Sequence, residues 1–319
     1  MRAGQRLSAE RIAAASSIID PCFLNSPQFV CAPLCDALGV ETVLKVETLN
    51  PVRCFKGRGA DLYMATLEGE GPLMCASAGN FGQALAYAAG RRGLPLTVYA
   101  SVSANPLKVE RMRALGATVV LEGEDFDGAK AAAKRNAGEA HFVEDGKEVA
   151  ISEGAGTIAV ELAAVDGPLD AVVVPLGNGA LLSGIGAYLR HERPNTAVIG
   201  VVAEGAPAMA LSWRQKRVVE TERADTIADG IGVRVPVPEA LDDLEGLIDD
   251  IVAVDDGAIL SAMGLAHRYA GLVVEPAGAA GLAAIAGHQA RFAGQRVATV
   301  LCGGNVSFED MDRWFSSPL

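Results

Sequence analysis

The stretch ETLNPVRCFKGRGA, residues 47–60, places Lys56 where an apolar strand, predicted at residues 42–47, gives way to a helix. Most lysines are solvated surface charges. The start of a helix and a nearby cation, Arg53 or Arg58, both disfavour a charged ammonium group. A lysine whose charge is disfavoured is a better nucleophile for forming a Schiff base. The stretch therefore marks Lys56 as a candidate catalytic residue.

The rest of the chain alternates short apolar runs with helical stretches. Strands are predicted at residues 72–77, 96–100, 117–123, 171–176, 197–204 and 297–302, and helices at residues 58–68, 81–93, 107–116, 127–139 and 181–192. Continuous β-branched runs between amphipathic helices indicate parallel sheets with both faces covered. The alternation restarts after about residue 145, which predicts an α/β protein of two lobes that share one cleft.

Three small-residue turns follow predicted strands, where open parallel sheets bind their ligands. They are Ser77-Ala78-Gly79-Asn80, Gly177-Asn178-Gly179-Ala180 and Cys302-Gly303-Gly304-Asn305. Glycine lets the backbone approach a ligand, and the first amides of a following helix attract anions. The second turn therefore predicts a phosphate site, and the first predicts a carboxylate site with the Ser77 hydroxyl as an extra donor. A tight turn that binds nothing is the alternative for each.

The segment GNGALLSG, residues 177–184, also invites comparison with a dinucleotide-binding turn. The pattern Gly-x-Gly-x-x-Gly would need a glycine at position 182, which is Leu182. The next glycines, Gly184 and Gly186, come too late in the chain. A nicotinamide dinucleotide is therefore disfavoured as the ligand.

Composition limits the classes of partner. The 319 residues carry a net charge of −12, which argues against a nucleic acid because binding one needs a basic surface. The six cysteines include no Cys-x-x-Cys pair and are expected to be reduced thiols of a cytoplasmic protein. Residues 1–20 lack the apolar segment of a secretion signal and predict a short helix, and no apolar run is long enough to span a membrane.

Five ordered motifs resemble those of fold-type II pyridoxal-phosphate (PLP) enzymes of the threonine/serine dehydratase family. CFKGRG at residues 54–59 resembles the lysine motif Ser-Phe-Lys-x-Arg-Gly, and SAGNF at residues 77–81 resembles the loop Ser-Ala-Gly-Asn-His. GNGAL at residues 177–181 resembles the glycine-rich phosphate loop of the family. VVEPAGAAGLAA and LCGGNV resemble its last two motifs, in the usual order. The resemblance covers roughly residues 30–306.

The resemblance implies a fold like that of the tryptophan synthase β subunit, with two open, twisted parallel sheets covered by helices. Residues 1–70 and 146–319 are then expected to form the large PLP-binding domain. Residues 71–145 are expected to form a small domain that closes over the substrate. The resemblance also implies an amino-acid substrate and a homodimer.

Positions that match the family motifs take the family's roles as expectations. Lys56 resembles the lysine that carries PLP as a Schiff base and removes the α-proton, and Ser77 would help to hold the substrate carboxylate. The expected cofactor-binding residues are Phe55, Lys56, Asn80, Gly177, Asn178, Gly179, Ala180, Leu181, Glu275 and Cys302, and the expected substrate-binding residues are Ser77, Ala78, Gly79, Asn80 and Phe81. A surface carboxylate is the alternative for Glu275.

Several departures from the family pattern bear on the activity. Cys302 stands at the position of the partner of the pyridine nitrogen and cannot protonate the ring as an aspartate would, which suits prompt β-elimination. Cys54 replaces a serine. This replacement either shifts the hydrogen bonding around the Schiff base or has no effect. Phe81 replaces a histidine and hints at an aromatic β-substituent, unless it packs inward. Ala78 lacks the hydroxyl that racemases of this family use, so racemisation is disfavoured.

Two further segments limit cofactors and regulation. No acidic residue follows Glu204 between Gly205 and Leu211, so no metal site is predicted there. About 14 residues follow Asn305, too few for the regulatory domain of the biosynthetic threonine dehydratases. A catabolic role without end-product control is therefore expected.

The predicted activity is PLP-dependent dehydration of a β-hydroxy-L-amino acid to a 2-oxo acid and ammonia, with Lys56 and Ser77 as the catalytic residues. Serine, threonine and aryl analogues such as phenylserine are the candidate substrates. In the family mechanism the freed lysine acts as general base, and the cofactor phosphate protonates the leaving hydroxyl. The alternatives are β-replacement, as in cysteine-synthase-like enzymes, amino-acid racemisation, and a PLP-binding or nucleotide-binding protein without turnover.

Overall fold

The computed structural model describes residues 5–315, and its strands form two separate sheets. The strands are β1 (Gln28–Val30), β2 (Glu41–Val46), β3 (Leu73–Ala76), β4 (Leu96–Ala100), β5 (Thr118–Leu121), β6 (His141–Val143), β7 (Ala171–Pro175), β8 (Ala197–Ala203), β9 (Asp250–Val254) and β10 (Arg296–Leu301). The larger sheet has the order β1-β2-β10-β7-β8-β9, and the smaller sheet has the order β5-β4-β3-β6. All pairs are parallel except β1 with β2.

Fourteen α-helices connect and cover the strands between residues 5 and 315. They are α1 (Ala9–Ala15), α2 (Ala32–Leu38), α3 (Lys56–Thr66), α4 (Asn80–Arg91), α5 (Pro106–Ala114), α6 (Phe126–Asn136), α7 (Val149–Ala163), α8 (Ala180–Glu192), α9 (Ala208–Gln215), α10 (Pro238–Leu244), α11 (Asp256–Ala270), α12 (Pro276–Gly287), α13 (Gln289–Phe292) and α14 (Phe308–Phe315). Two short 3-10 helices lie at Pro21–Phe23 and Asp229–Ile231. No helix of this part of the chain is both long and apolar enough to cross a membrane.

The larger sheet is apolar on both faces, as a parallel sheet covered by helices requires. Successive residues of β7 alternate between two cores: Val172 and Val174 pack on one face, and Ala171 and Val173 pack on the other. This double burial explains why β7 is a continuous run of β-branched residues without polar alternation. The carboxyl ends of the strands are thereby left as the edge where polar ligands can bind.

Helix α3, which begins at Lys56, packs against α7 too closely for side chains at the contact. A Cβ atom on Gly59 would lie 2.4 Å from the carbonyl oxygen of Ile151, and one on Gly154 would lie 2.6 Å from the Cα atom of Gly59. Such backbone approach leaves little freedom for the two helices to shift against each other. Lys56 is therefore carried by a rigid element of the large sheet's helical layer.

A largely buried charge cluster fixes the same helix to β2 and α7. The Arg58 guanidinium donates to both carboxylate oxygens of Glu47 (2.8 and 2.9 Å) and to both of Glu161 (2.5 and 3.0 Å). Lys45 also pairs with Glu161, so two cations face two anions. Burial opposes the charge of Arg58, but the two carboxylates outweigh burial and raise the pKa of the guanidinium above its ordinary value. Each of these charges is compensated only while the others are present.

The α/β fold class with two parallel sheets is confirmed. Strand β4 has the predicted bounds, and the largest error among the predicted elements is at the end of α6, residue 136 instead of 139. Among the elements that had not been assigned from sequence are the strands β1, β6 and β9 and the long helices α7, α11 and α12. The strands of the smaller sheet all lie between residues 71 and 145, and the division of the chain into domains at those positions stays a prediction.

Candidate active site

The carboxyl ends of both sheets face one cavity of about 550 Å³. Ten of the predicted site residues line it: Phe55, Lys56, Ser77, Ala78, Gly79, Asn80, Phe81, Asn178, Glu275 and Cys302. The other four, Gly177, Gly179, Ala180 and Leu181, flank Asn178 at the start of α8. The fold thus brings together five segments that are far apart in sequence: residues 55–56, 77–81, 177–181, 275 and 302.

Lys56 presents its amine to this cavity from the first turn of α3. Its Nζ atom lies 2.7 Å from both carboxylate oxygens of Asp145 and 4.8 Å from the centre of the Phe55 ring. The ring of Phe81 is 5.7 Å away. The expectation that Arg58 supplies a neighbouring cation is wrong, because the guanidinium of Arg58 is engaged in the buried cluster. The charged neighbour of Lys56 is an anion that sequence reasoning missed.

The turn from β3 into α4 is held by the Ser77 side chain. The Ser77 hydroxyl oxygen accepts hydrogen bonds from the amides of Gly79 (3.2 Å) and Gly82 (2.9 Å). A hydroxyl that accepts two amides keeps its own hydrogen for an acceptor in the cavity. Ser77 therefore both shapes the turn and offers a donor to an anion.

Lys108, on α5, lies beside the same turn and had not been predicted from sequence. The residue is 6% exposed, and its Nζ atom is 3.9 Å from the position that a Cβ atom on Gly79 would occupy. Burial opposes its charge, but the carboxylates of Asp229 and Glu275 outweigh burial and raise the pKa of the amine above its ordinary value. A permanent positive charge therefore stands next to the carboxylate-binding turn.

Asn80, the last residue of the same turn, belongs to a polar network with Glu275 and Asn305. Its Nδ2 atom donates to Glu275 (2.6 Å), and its Oδ1 atom accepts from the side-chain amide of Asn305 (2.8 Å). The backbone amide of Asn305 donates to the second oxygen of Glu275 (3.1 Å). Glu275 is 2% exposed, so it is not a surface carboxylate, and burial raises its pKa. The network fixes the side-chain amide of Asn80 toward the cavity.

The turn before α8 has the form of an anion site. Gly179 has φ of +95°, a conformation that side chains disfavour, and a Cβ atom on Gly177 would lie 2.6 Å from the carbonyl oxygen of Gly230. No side chain of the described residues caps the N-terminus of α8. The 13-residue helix therefore presents uncapped amides and the positive end of its dipole.

Two buried thiols lie at or near the cavity: Cys302 lines it, and Cys54 is fully buried next to Phe55 in the lysine turn. Burial raises the pKa of Cys54 to about 12 and that of Cys302 well above its ordinary value, and the nearby Glu275 acts in the same direction on both. The amide of Phe55 donates to the carbonyl of Cys302 (2.9 Å), which ties the lysine turn to β10. Both thiols are therefore neutral near pH 7, and neither brings a charge to the ring of a ligand.

PLP, the cofactor that the motifs imply, fits these residues. Its aldehyde needs an amine, its phosphate needs backbone amides, and its ring needs polar contacts without a strong acid. Lys56, the turn at Gly177–Ala180 and the pair of Asn80 and Cys302 offer these groups around one cavity. A Cβ atom on Gly303 would lie 2.1 Å from Glu275 Oε1, so the bare backbone there leaves the network around Asn80 intact.

Comparison with known proteins assigns the family. The family model described as pyridoxal-phosphate dependent enzyme matches residues 21–303. An L-threonine ammonia-lyase of Thermotoga maritima is 36% identical over 285 residues, which covers 88% of this chain and 71% of that protein.

Two solved structures have the same fold along nearly the whole chain. The processed form of threonine deaminase isoform 2 from Solanum lycopersicum superimposes with a TM-score of 0.88 at 27% identity and covers 97% of this chain and 94% of that one. Maize serine racemase superimposes with a TM-score of 0.89 at 25% identity and covers 97% of both chains. With the motifs and the geometry of the cavity, these matches show that the chain belongs to the pyridoxal-phosphate-dependent enzyme family, as a fold-type II member of its threonine/serine dehydratase group.

Proposed function

We propose that the chain is a PLP-dependent ammonia-lyase that converts a β-hydroxy-L-amino acid into a 2-oxo acid and ammonia. The observation that carries this proposal is the amine of Lys56 in a cavity between a carboxylate-binding turn and an uncapped helix N-terminus. A relative named as an L-threonine ammonia-lyase supports the reaction class. We base the roles of individual residues on their geometry.

Substrate binding uses the turn at residues 77–80. The α-carboxylate accepts from the Ser77 hydroxyl and from the amides of that turn, and the charge of Lys108 adds electrostatic attraction. This placement orients Cα toward Lys56. When bound, the cofactor supplies the electron sink that makes the α-proton acidic.

Lys56 then acts as the general base and takes the α-proton on its amine. The electron pair left at Cα forms a double bond to Cβ as the bond between Cβ and the hydroxyl oxygen breaks. The departing hydroxyl takes up a proton and leaves as water. The released enamine hydrolyses to the 2-oxo acid and ammonia. The whole reaction is balanced, since one water is lost in elimination and one is consumed in hydrolysis.

Closure of the segment 71–145 over the substrate is part of this proposal. Side chains of α5 and α6 reach across the cavity to the other sheet: Lys108 pairs with Asp229, and Arg234 pairs with Asp127 at 2.6 Å. Asp229 is exposed, and Arg234 and Asp127 are partly exposed; ion pairs that water reaches are weak and can break and re-form as a lobe moves. They support a segment that opens for substrate and closes for chemistry.

Racemisation is disfavoured, although maize serine racemase has the same fold. Ala78 lines the cavity at the position where a racemase of this family has an acidic hydroxyl, and a methyl group cannot deliver a proton. We also propose an aromatic β-substituent as one candidate, because the Phe81 ring lines the cavity near Lys56. The predicted homodimer, cytoplasmic location and catabolic role stay predictions.

The experiment that tests this function is release of 2-oxo acid by the purified, PLP-loaded protein. The substrates are L-serine, L-threonine, both L-phenylserine diastereomers and 3-hydroxyaspartate. Release from at least one of them supports the dehydratase, and a preference for phenylserine supports the aromatic pocket. If every compound is inert while the bound cofactor is yellow, the dehydratase assignment fails.

Replacing Lys108 by methionine is expected to weaken substrate binding more than chemistry. The loss of a buried charge beside the carboxylate-binding turn should raise KM by about 10- to 100-fold, the effect of removing a hydrogen bond or ion pair to a charged group. The rate constant kcat should change by less than about fivefold, because Lys108 does not contact the atoms that react. Steady-state kinetics measures both, with the exposed Arg113→Met on the same helix as the matched control. An unchanged KM would remove Lys108 from the substrate site.

Replacing Gly303 by alanine is expected to weaken cofactor binding by about tenfold, the effect of losing one buried hydrogen bond. The new methyl group would lie 2.1 Å from Glu275 Oε1 and 3.0 Å from Asn80 Nδ2, so it would displace the network that orients Asn80. Titration of the apoprotein with PLP, followed by absorbance, measures the dissociation constant. Gly287→Ala is the control, because nothing lies within 4 Å of a Cβ atom at that position. Equal PLP affinity of the two variants would contradict the prediction.

A further inference from the structure

Asp145 is the residue whose position is not explained by the roles given above. It lies two residues after the end of β6, and its side chain is 12% exposed. Both carboxylate oxygens lie 2.7 Å from Lys56 Nζ, and Asn178 Nδ2 lies 3.3 Å from Oδ2. A carboxylate is therefore held between the reacting amine and the anion-binding turn.

The backbone after Asp145 holds this arrangement in place. Gly146 has φ of +86°, which side chains disfavour, and a Cβ atom there would lie 2.4 Å from the carbonyl oxygen of Asn178. The turn is thus packed directly against the start of α8. The backbone beside Asp145 is therefore fixed, and the contacts with Lys56 and Asn178 orient its carboxylate.

Other groups near Lys56 cannot act in place of Asp145. The thiols of Cys54 and Cys302 are neutral because burial raises their pKa values. Five other acidic residues of the cavity have partners of their own: Glu275 with Asn80, Asp229 with Lys108, Asp125 and Asp127 with Arg234, and Glu144 with Lys130 and Lys134. Among the described residues, Asp145 is the carboxylate paired with the Lys56 amine.

We propose that Asp145, in place of the cofactor phosphate that the family resemblance implies, is the acid of this chain: it takes from Lys56 the proton that came from Cα and delivers it to the leaving hydroxyl. This inference rests on the proposed dehydratase function. The Cα–H bond breaks and an N–H bond forms on Lys56. That proton passes across the 2.7 Å contact to an oxygen of Asp145. As the Cβ–O bond breaks, the O–H of Asp145 protonates the departing oxygen, so that Lys56 and Asp145 end in their starting states.

If Asp145 protonates the leaving group, the loss of activity in an Asp145 variant should depend on which group leaves. Hydroxide is a poor leaving group and needs a proton, whereas chloride leaves without one. In Asp145→Asn, release of pyruvate from L-serine should fall by about 100- to 1,000-fold, within the usual range for loss of a general acid. Release of pyruvate from β-chloro-L-alanine should fall by less than about fivefold, because that elimination needs only the base Lys56.

A second measurement reports the protonation of the Lys56 nitrogen in the absence of substrate. An adjacent carboxylate stabilises a protonated nitrogen, so its loss lowers the pH at which that nitrogen gives up its proton. The absorbance of the PLP-loaded protein reports this transition in a pH titration without substrate. The transition of Asp145→Asn should lie about one pH unit or more below that of the unchanged protein.

Glu144→Gln is the matched control, because it removes one carboxylate from the same turn without touching Lys56. It should leave both pyruvate rates and the absorbance titration nearly unchanged, and PLP loading of each variant checks that the cavity is formed. Equal losses with serine and β-chloroalanine, or no loss with serine, would overturn the relay. An unshifted titration would overturn the contact itself. If the unchanged protein acts on neither compound, the dehydratase function fails, and the titration still tests Asp145 separately.

Discussion

Replacing Lys56 by alanine should lower the rate of 2-oxo acid release by at least about 10,000-fold. The residue has two functions at once in the proposed mechanism, because its amine attaches the cofactor and then removes the α-proton. Its position at the start of α3, with the amine facing the cavity, leaves no second lysine of the described chain in the same place. Lys108 lines the same cavity but is buried beside Asp229 and Gly79.

The measurement is pyruvate or other 2-oxo acid release by Lys56→Ala after incubation with PLP, on the best substrate of the panel. The variant should also fail to retain a yellow, borohydride-reducible cofactor after gel filtration. Lys130→Ala is the control, since that lysine lines the cavity but pairs with Glu144. Its rate should stay within about fivefold of the unchanged protein. Retained turnover by Lys56→Ala would contradict both the assignment of the lysine and the mechanism.

Those parts of the site that depend on local sequence could be predicted. The turn at residues 77–80 and the turn at residues 177–180 each follow a short, continuously apolar strand and open a helix, a pattern that is visible in the local sequence. Their strands, β3 and β7, belong to different sheets, so the two turns meet at one cavity only because of how the sheets pack, as the prediction of two lobes that share one cleft requires. Ser77 and Asn178 therefore line the cavity that their motifs indicated.

Asp145 and Lys108 could not be predicted, for two different physical reasons. Strand β6 has three residues, His141–Val143, which is too short for an apolar pattern, so nothing marked Asp145 as a residue that follows a strand. Lys108 lies on a helix whose polar residues resemble any solvated face. Its burial depends on how α5 meets the turn at Gly79 and the segment of Asp229, and that contact links residues 121 positions apart.

The partners of Arg58 also could not be predicted from the local sequence. Because Arg58 lies two residues after Lys56, the sequence predicts that its positive charge acts on the lysine amine. In the fold its partners are Glu47, on the connection after β2, and Glu161, 103 residues further along on α7. Helical geometry turns the two side chains of α3 in different directions, and only the packing of α3 on α7 decides which charge each one meets.

Arg58→Met should lower the free energy of unfolding by about 3–5 kcal/mol, which is the usual cost of removing one partner from a buried ion pair. Glu47 is fully buried and would lose both of its bonds to the guanidinium, and Glu161 would keep only Lys45 as a charged partner. Urea unfolding followed by circular dichroism measures the change. Arg91→Met is the control, because the Arg91 side chain is 55% exposed and its solvent-screened pair with Asp20 should contribute little to stability.

The pH dependence of this difference has a definite sign. Burial would raise the pKa of Glu161, but Arg58 and Lys45 outweigh it and hold that pKa below its ordinary value of 4.5. A carboxylate with a lowered pKa stabilises the fold above its ordinary pKa and loses that contribution as the pH falls through the lowered value. The difference in the free energy of unfolding between Arg58→Met and the unchanged protein should therefore be largest at neutral pH and become smaller in acid.

A double variant separates the buried charge from the packing of the side chain. If the cost of Arg58→Met comes from the uncompensated carboxylate, adding Glu47→Gln should restore part of the lost stability, because a neutral amide no longer needs a cation. If the cost comes from lost contacts of the long arginine side chain, adding Glu47→Gln should lower stability further. Recovery would show that the cluster fixes α3, and with it Lys56, by mutual compensation of charge, so that each member is indispensable only because the others are charged.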